Sequence, residues 1–452
     1  MNLRFSNKKC APGQQAGSIL IIVLWVAFGL VAIALYFAHS MSMELRAADN
    51  RVAAMEANQA IEGAALYVSN VLARLPTPNT LPSPQSFRAD AVKVGNARFW
   101  LIGRDTNIVA SATPADHPFW GLIDEASKLN LNTASAVQLE SLPMVTQDLA
   151  AAIYDWKSPG STPSASGAKT ETYSLQQPAY DCKETNYETT DELRLVYGMN
   201  LDLLYGEDAN LNGILDPNEN DGDKLPPYDN QDGHLDSGIL DYVTVWTHEA
   251  AVTSNGIPRV AVNDTPGLQQ LFSQYFPQFT QYLPTTTGGA TPATILSTLQ
   301  FYYSCKQKQM SESDFQQVEP YLTNAIGTGL LNINTASATA LSCAIGTNLA
   351  AQILAYRQSN PQLTPTVTWV DDALGGDQAT EATVGTNLTA YACQYTADVA
   401  AVGHNGRGYR RVRFVFDCAN GVPQIIYRQD LTHLGWALGK NLYDQLLADN
   451  SK

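Results

Sequence analysis

The sequence predicts an α+β fold in which a long N-terminal helix packs on a small antiparallel sheet and a large, mainly helical domain is inserted between the strands. Three observations predict this fold. An uncharged apolar run at residues 18–38 continues into a proline-free, helix-favouring stretch that ends near residue 75. Strand-like runs occur near residue 100 and again only beyond residue 390. The residues between them contain an internal repeat of helical character.

The first predicted element is a helix over residues 18–75. Its uncharged part, Ser18 to Ala38, has 21 residues, which at about 1.5 Å per residue cross the roughly 30 Å hydrocarbon layer of a bilayer. Beyond it, apolar residues recur at three- and four-residue spacing, which predicts one stripe that packs on the sheet. The stripe consists of Leu45, Ala48, Val52, Met55, Ile61, Ala64, Val68, Val71 and Leu75.

A polar leader, residues 1–17, precedes the apolar run. It contains Arg4, Lys8 and Lys9 and ends in Ala16-Gly17, directly before the first apolar residues. An ordinary secretory signal has the opposite order, with a small-residue cleavage site after a shorter apolar segment. The basic residues predict that the leader lies on the cytoplasmic side of the membrane and the rest of the chain on the other side.

The composition indicates an acidic, mostly globular body. The 452 residues are 45% hydrophobic, which is ample for real cores, and the formal net charge is −16. Without the three basic residues of the leader the charge becomes −19. Such a surface repels phosphate backbones, so nucleic acid is a poor partner and metal cations are better candidates.

Five of the six cysteines lie beyond the leader. No two of them form a CxxC pair, which excludes zinc-ribbon patterns. Cys393 and Cys418 flank two strand-like runs, and we predict a disulfide between them, with two buried free thiols as the alternative. The other cysteines of the body are Cys182, Cys305 and Cys343.

The predicted sheet takes its strands from both ends of the chain. Turn signals such as His404-Asn405-Gly406 separate the C-terminal runs, which indicates antiparallel hairpins. Residues 76–125 and 390–435 would form one α/β domain, and residues 126–389 an inserted α-domain. Low-complexity segments at 158–174 and 285–293 predict exposed connections inside the insertion. The strands are predicted at residues 97–102, 107–110, 394–402, 409–417 and 423–428.

The internal repeat becomes visible when the sequence is shifted by 202 residues. Residues 128–156, beginning KLNLNTASA, match residues 330–357, beginning LLNINTASA. Each copy predicts a strand or turn, a helix, a hairpin and a second helix, an order similar to the helix-hairpin-helix unit of DNA-uptake proteins. We expect Thr133 and Thr335 to cap the first helices, and Asn132 and Asn334 to tie the turns by bonds to the backbone.

The hairpins of the two copies argue against DNA binding. A DNA-binding hairpin needs glycines, because its backbone amides must approach a phosphate closely. The first copy has Pro143-Met144-Val145-Thr146 at this position and the second has Cys343-Ala344-Ile345-Gly346. The first hairpin therefore contains no glycine and the second contains one. We therefore expect these units to pack against protein rather than to bind nucleic acid.

Between the two copies, Asp208 to Glu219 fits the twelve-residue calcium loop position by position. Alternate side chains in such a loop converge on one hard cation, and without a cation the neighbouring carboxylates would repel one another. A solvated acidic loop is the alternative. Flanking helices are not evident, so we expect a calcium loop without the EF-hand fold. The ligands would be Asp208, Asn210, Asn212, the carbonyl of Ile214, Asp216 and Glu219, with Gly213 at the turn.

A second, poorer loop follows and extends the predicted calcium region to residues 208–241. Aligning Gly233 with the turn glycine places Tyr228 at the first ligand position, where a carboxylate is expected. Asp241, or an acid of the Asp221 and Asp223 pair, is the candidate replacement. The remaining candidate ligands are Asn230, Asp232, His234 and Asp236.

Common catalytic motifs are missing from the sequence. It contains no GxSxG, no HExxH and no phosphate-binding glycine loop. The histidines are scattered, and none stands in a metal-ligand or triad pattern. We therefore predict a binding or assembly protein without catalytic residues rather than an enzyme. The histidines are His39, His117, His234, His248, His404 and His433.

The leader and the apolar helix together resemble those of type IV pilins and of type II secretion pseudopilins. The resemblance implies cleavage after Gly17, which leaves Ser18 as the first mature residue. Most members of that superfamily have glutamate as the fifth mature residue, where its buried carboxylate compensates a neighbour's N-terminal amine. This chain has Ile22 there. The minor pseudopilin K family of type II secretion is similar in lacking that glutamate.

Further passages resemble the same family. They are DEASKLNLNTAS at residues 124–135, the repeated LNxNTAS units and the C-terminal strands that end in Tyr427-Arg428-Gln429-Asp430. The resemblance implies a pilin-like helix and sheet, paired helix-hairpin-helix units and calcium in the inserted domain.

The resemblance also implies a location and a function. The chain would be a single-pass inner-membrane protein with a periplasmic body, matured by prepilin peptidase. It would lie at the tip of the pseudopilus with other minor pseudopilins similar to proteins I and J, and would initiate or cap an assembly that exports folded proteins across the outer membrane. Three alternatives stay open: a membrane-anchored DNA receptor for competence, a minor pilin of a type IV pilus, and a plain single-pass anchor.

Overall fold

The computed structural model describes residues 16–75, 79–104, 117–284, 295–361 and 363–450. Leader residues 1–15, the predicted strand at 107–110 and the low-complexity segment at 285–293 lie outside the described residues. The helices are α1 (Ala16–Ala73), α2 (Ala136–Glu140), α3 (Gln147–Lys157), α4 (Thr170–Tyr173), α5 (Leu201–Tyr205), α6 (Thr265–Tyr275), α7 (Thr298–Gln307), α8 (Glu312–Val318), α9 (Ala338–Ile345), α10 (Thr347–Ser359), α11 (Thr368–Ala373), α12 (Gln378–Val384) and α13 (Lys440–Asn450).

The strands fall into one sheet and three short pairs. They are β1 (Val92–Val94), β2 (Ala97–Ile102), β3 (Ile123–Asp124), β4 (Leu129–Asn130), β5 (Val243–Thr244), β6 (Val260–Ala261), β7 (Leu322–Thr323), β8 (Leu331–Asn332), β9 (Leu388–Thr389), β10 (Gln394–Val402), β11 (Arg410–Asp417) and β12 (Gln424–Asp430).

Helix α1 is continuous from the apolar run into the globular body. Among the described residues it is the one helix long and apolar enough to cross a membrane, and no residue of its most apolar part is buried by the described part of the chain. From Ala53 onward one face of α1 is buried against the sheet. The buried residues are Ala53, Ala57, Ala60, Ile61, Ala64, Ala65, Val68 and Leu72.

The prediction that the first half of the apolar stripe packs on the sheet is wrong. Leu45, Val52 and Met55 are 69%, 44% and 59% exposed. The face that meets the sheet is made instead mainly of alanines at three- and four-residue spacing, because small side chains allow the helix backbone to approach the strands closely. The second half of the stripe, at Ile61, Ala64 and Val68, does face the sheet.

The large sheet has the order β1-β2-β10-β11-β12, with β3 beside β10, and all neighbouring strands are antiparallel. The central strand β10 places Val399 between Leu101 of β2 and Val412 of β11. These β-branched and aliphatic side chains pack on α1. The predicted α+β fold, with strands from both ends of the chain, is confirmed.

The insertion leaves and returns at one end of this sheet. It leaves after β3, which pairs with the start of β10 at Tyr395 and Asp124, and it returns just before β10. The same end lies beside the residues that follow α1, since Tyr395 donates to the carbonyl of Thr80 at 3.1 Å. At the opposite end, the β10–β11 hairpin lies against α1 at Ala53. The insertion is therefore joined at the end of the sheet remote from the apolar half of α1.

Three parallel strand pairs organise the insertion: β4 with β5, β6 with β7, and β8 with β9. Helices lie between the two strands of each pair, and a 3-10 turn precedes each closing strand. The two copies found in the sequence are β4-α2-α3 and β8-α9-α10. The sequence comparison misses the unit that begins at β6, because Asn263-Asp264-Thr265-Pro266 replaces the Asn-Thr-Ala-Ser of the other two.

The local predictions for the turns need correction. The caps of α2 and α9 are Ser135 and Ser337, whose side chains accept from Gln138 N and Ala340 N, rather than Thr133 and Thr335. The first asparagine of each LNxN motif, not the second, ties the turn. Asn130 accepts from the backbone N–H of the residue two positions later at 2.8 Å, and Asn332 does the same at 3.0 Å.

The two copies share a buried cation at the end of their second helix. Lys157 Nζ donates to the carbonyls of Leu131 at 2.6 Å and Ala134 at 2.7 Å. Arg357 Nη1 makes the equivalent bonds to Ile333 and Ala336 at 2.9 and 3.0 Å. These side chains satisfy carbonyls of the turn that precedes the first helix, so they hold the second helix against it.

Two further expectations differ from the structure. Cys393 and Cys418 are both buried free thiols. Their backbones are bonded, with Cys418 N donating to Cys393 O at 2.8 Å, but the side chains are buried in different clusters, so no disulfide forms. The segment at 158–174 is not wholly exposed, because its C-terminal part forms α4 and buries Tyr173 against Trp156.

Candidate metal centre

The first acidic loop lies between α5 and the 3-10 helix Pro217–Glu219. Leu211 and Gly213 have φ values of 55° and 75°, in the left-handed region, and these two residues turn the chain back on itself. Asp208 Oδ1 accepts from Asn212 N, and its Oδ2 from Gly213 N, both at 2.9 Å. The side chain at the first ligand position thus fixes the turn around the fifth and sixth positions.

The side chains at positions three, five and nine of this loop converge. Asp216 Oδ2 accepts from Asn210 Nδ2 at 2.8 Å and from Asn212 Nδ2 at 2.9 Å. Glu219 closes the loop, because its two carboxylate oxygens accept from Ala209 N at 3.1 Å and Asp216 N at 3.0 Å. The predicted ligand side chains are therefore brought to one place without flanking EF-hand helices.

One buried atom in this loop has no partner. Asn210 Oδ1 is enclosed and accepts no hydrogen bond. The two ends of an amide are exchanged by a half-turn of the side chain. That rotation would point a carbonyl oxygen, instead of an N–H, at the carboxylate-lined centre, where a cation would need an oxygen ligand. The donor set, made of carboxylates, amide oxygens and a backbone carbonyl, fits calcium.

The electrostatics of the loop also favour a cation. Burial, together with the charges of Asp208 and Asp216, raises the pKa of Glu219 to about 8. Burial likewise raises the pKa of Asp208, although nearby Arg104 acts in the opposite direction. A divalent cation would offset both the burial and the repulsion. Among the described residues, no three His, Cys, Asp or Glu side chains could hold a metal by themselves, so the site depends on asparagine and backbone oxygens.

The second loop is organised by a residue that the sequence analysis misses. Glu207 accepts from Asn230 N at 3.3 Å and from Asp236 N at 3.1 Å. The bond from Asp236 N, at position nine, is equivalent to the bond from Asp216 N to Glu219 in the first loop, whereas the other bond comes from position three rather than position two. Position twelve of the second loop is Ile239, so the closing carboxylate comes from the residue that immediately precedes the first loop. No local signal marks Glu207, because its role follows from the bridge between Gly206 and Ser237 that joins the two loops.

The other residues predicted for the second loop are dispersed. Asp241 lies beside the first loop, where it pairs with Arg104 at 2.7 Å. Asp221 Oδ1 accepts from Leu225 N, and Asp229 Oδ2 accepts from Asp221 N at 2.8 Å. Asn230 Nδ2 donates to Asp236 Oδ2 at 3.1 Å, which joins two of the predicted ligands. Asp232 and His234 are exposed, and Asp232 accepts from the backbone of His234.

The first loop is bound to the large sheet through a buried ion pair. Arg411 of β11 donates from Nε to Asp398 Oδ1 of β10 at 2.8 Å, and both side chains are fully buried. The same guanidinium donates to the carbonyl of Asn210 and, at 2.7 Å, to that of Leu211. The loop backbone is therefore held by strands that lie outside the insertion.

The predicted cleavage residues lie at the start of α1. Gly17 and Ser18 are both helical, as the second and third residues of α1. The bond between them lies directly before the uncharged apolar run.

The chain is similar to a known protein family and to a solved complex. Residues 127–205, which contain β4 and helices α2 to α5, match the family model for protein K of the type II secretion system. No curated protein sequence matches the chain. A solved structure, the GspK-GspI-GspJ complex of the type 2 secretion system from enterotoxigenic Escherichia coli, is 11% identical, with a TM-score of 0.41, over 86% of this chain and 99% of that one. Through residues 127–205 the chain is therefore similar to protein K of the type II secretion system, a minor pseudopilin.

Proposed function

We propose that this protein is a minor pseudopilin that occupies the tip of a type II secretion pseudopilus. Helix α1 would anchor it in the inner membrane, with the body in the periplasm, and it would assemble with minor pseudopilins similar to proteins I and J. The observation that carries the proposal is the point of attachment of the insertion. It leaves at β3 and returns at β10, at the end of the sheet remote from the apolar half of α1.

This attachment supports a tip position for a steric reason. Subunits of a pilin-like fibre stand with their helices side by side, and every subunit that is not at the tip has another subunit stacked on it at the end remote from the membrane. The insertion occupies that end, so another subunit could not stack there. Ile22 supports the same position, because a subunit with no neighbour above it needs no carboxylate to compensate that neighbour's N-terminal amine.

The test is assembly of the full chain with candidate partners from the same source. We expect co-purification with the I- and J-like minor pseudopilins in mild detergent, and antibody labelling at fibre ends only. A variant in which a short Gly-Ser linker replaces residues 126–389 is the matched control and should lose the restriction to the ends. Labelling of the full chain along whole fibres would contradict the tip position. Retention of duplex DNA in a gel shift at low salt would favour the DNA-receptor alternative instead.

We also infer that the leader is removed after Gly17. The support is the small residue Gly17, which directly precedes the uncharged apolar run that starts at Ser18. N-terminal sequencing after exposure to prepilin peptidase should give Ser18 as the first residue. A chain that keeps residues 1–17 under those conditions would contradict this maturation.

We further infer that the loop at residues 208–219 binds calcium and that the loop closed by Glu207 is a second, weaker site. The convergence of Asn210, Asn212 and Asp216, together with the unpartnered Asn210 Oδ1, supports the first site. Calcium bound there would neutralise buried carboxylates and hold the loop against the sheet. Its role would be structural rather than catalytic.

Calcium removal should destabilise the protein. We expect EDTA to lower the melting temperature of the full chain, because a ligand that binds only the folded state stabilises it. Asp208→Ala combined with Glu219→Ala should abolish the EDTA effect. The exposed pair Glu140→Ala and Glu171→Ala removes the same charge elsewhere and should leave the EDTA effect intact. A melting temperature that does not respond to EDTA in the wild-type chain would refute calcium binding.

A further inference from the structure

A compact charged cluster joins α1 to the β10–β11 hairpin. Asp49 and Glu56 are seven residues apart on α1, which places them on the same side of the helix, two turns from each other. His404 of the hairpin lies between them. Its Nε2 is 2.9 Å from Asp49 Oδ1, and its Nδ1 is 2.7 Å from Glu56 Oε2.

This geometry defines the protonation state of His404. Ionised carboxylates only accept hydrogen bonds, so each ring nitrogen that faces one must carry a proton. The imidazolium is the form of histidine that carries both protons. A neutral ring would leave one nitrogen lone pair directed at a carboxylate. The arrangement therefore requires a positively charged His404.

The surrounding groups strengthen this arrangement. The backbone N–H of His404 donates to Glu56 Oε2 at 2.9 Å, and Arg407 Nη1 pairs with Asp49. Two cations then face two carboxylates, so the cluster is neutral while His404 is charged and carries one excess negative charge when it is not. The hairpin also contacts α13, where the charged side chains Lys440 and Asp444 pair with each other at 2.7 Å.

The cluster lies where the helix enters the globular body. Ala53, between the two carboxylates, is fully buried, whereas the helix before it is exposed. The hairpin approaches it closely, since a Cβ on Gly403 would lie 2.7 Å from Ala53 Cα. Further along the chain, contacts between α1 and the sheet are mainly apolar. A second charged contact, between the half-exposed side chains of Glu62 and Arg428 of β12, contains no histidine. The contacts at Asp49 and Glu56 are thus the part of the helix–sheet interface whose charge a histidine can change.

We propose that His404 is a pH-dependent clamp, which as an imidazolium holds α1 against the β10–β11 hairpin and on deprotonation releases the membrane-proximal end of the body from the helix. The hydrogen bonds to Glu56 and Asp49 raise the pKa of His404 above its usual 6.5, and the bonds from His404 lower the pKa values of both carboxyls. The clamp is therefore intact below the raised pKa of His404 and is lost as pH rises through it. On the acid side it persists until pH falls through the lowered carboxyl pKa values.

The first test is the titration of His404 in the full chain, reconstituted in nanodiscs and labelled with ¹⁵N-histidine. We expect both ring nitrogens to be protonated at neutral pH and a pKa above 6.5. The combined variant Asp49→Asn, Glu56→Gln should bring the pKa back toward 6.5, and Asp49→Asn alone should bring it part of the way. Assignment uses His404→Gln, which removes the signal. A His404 that titrates at or below 6.5 in the wild-type chain would overturn the proposal.

The second test is hydrogen exchange of residues 49–57 and 403–408, corrected for the intrinsic pH dependence of exchange. Protection should fall several-fold between pH 6.5 and 9 in the wild-type chain. His404→Gln should show low protection at both pH values. His433→Gln, at an exposed histidine outside the cluster, is the matched control and should behave as wild type. Protection that does not change with pH while His404 titrates would also overturn the proposal.

Discussion

Two buried carboxyl groups, Glu381 of α12 and Asp371 of α11, lie in contact inside the insertion. Neither oxygen of Glu381 has a hydrogen-bond partner, and Asp371 Oδ1 has none either. Lys306 pairs with Asp371 and leaves Glu381 uncompensated. Burial, together with the contact with Asp371, raises the pKa of Glu381 to about 9. At neutral pH, Glu381 is therefore protonated in the folded protein.

Glu381→Gln should remove part of the pH dependence of stability. The unfolded carboxyl titrates near 4.5, whereas the folded one keeps its proton until about pH 9, so this group makes the free energy of unfolding fall as pH rises between these values. The loss by pH 7 is on the order of 3 kcal/mol. Thermal unfolding at pH 5 and pH 8 measures it, and the two melting temperatures should be closer in the variant. Glu140→Gln, at an exposed carboxylate, should keep the wild-type difference.

At the scale of elements, the contact between α1 and the β10–β11 hairpin depends on glycine. Gly408 has a φ of 68°, and a Cβ there would lie 2.6 Å from the carbonyl oxygen of Ala53. The hairpin backbone thus lies directly on the helix backbone. The sequence pattern predicts the turn but not the close contact between Gly408 and α1, because Ala53 is remote from Gly408 in the chain.

Gly408→Ala should destabilise the protein more than Gly435→Ala. Both glycines have positive φ values, so alanine is strained by roughly 1 kcal/mol at either position. A Cβ on Gly435 would meet nothing within 4 Å, whereas one on Gly408 would overlap with the backbone of α1. Overpacking of this kind costs roughly a further 1–3 kcal/mol. Equal melting temperatures for the two variants would show that the helix and hairpin can separate without loss.

At the scale of the whole molecule, Arg411 and Asp398 join the insertion to the sheet. The pair is buried between β10 and β11, and Arg411 also donates to the carbonyls of Asn210 and Leu211 in the acidic loop. One side chain thus connects the proposed calcium site with the fold that carries α1. Motion of the loop would disturb the central strands.

Arg411→Met should be strongly destabilising, by roughly 3–5 kcal/mol, because it leaves the buried Asp398 without its main partner. The combined variant Asp398→Asn, Arg411→Met should lose clearly less than Arg411→Met alone, since no buried carboxylate charge remains and Arg413, which also pairs with Asp398 at 2.9 Å, is partly exposed to solvent. Thermal unfolding measures both. If the two losses were equal, the loop carbonyls rather than the ion pair would account for the stabilising role of Arg411.

Much of this architecture follows from local patterns, and the remainder depends on distant partners. The strand at 97–102 and the C-terminal strands are marked by β-branched and aromatic runs, and the calcium-loop spacing marks residues 208–219. The sequence pattern does not reveal the alanine face of α1, because a prediction based on hydrophobicity selects the larger apolar residues of the helix, and several of these are exposed. Glu207 is not marked either, because its partners Asn230 and Asp236 meet it only after the two loops pair.

The position of β10 has a consequence for the order in which the chain folds. β10 is the shared neighbour of β2, β3 and β11, yet it follows the whole insertion in the sequence. During synthesis, β2 and the buried face of α1 therefore emerge long before the strand that completes their packing. The insertion, whose strand pairs lie within shorter stretches of chain, can fold first. The alanine face of α1 would thus stay uncovered until β10 and β11 have been synthesised. During that interval a chaperone or a neighbouring helix could bind it.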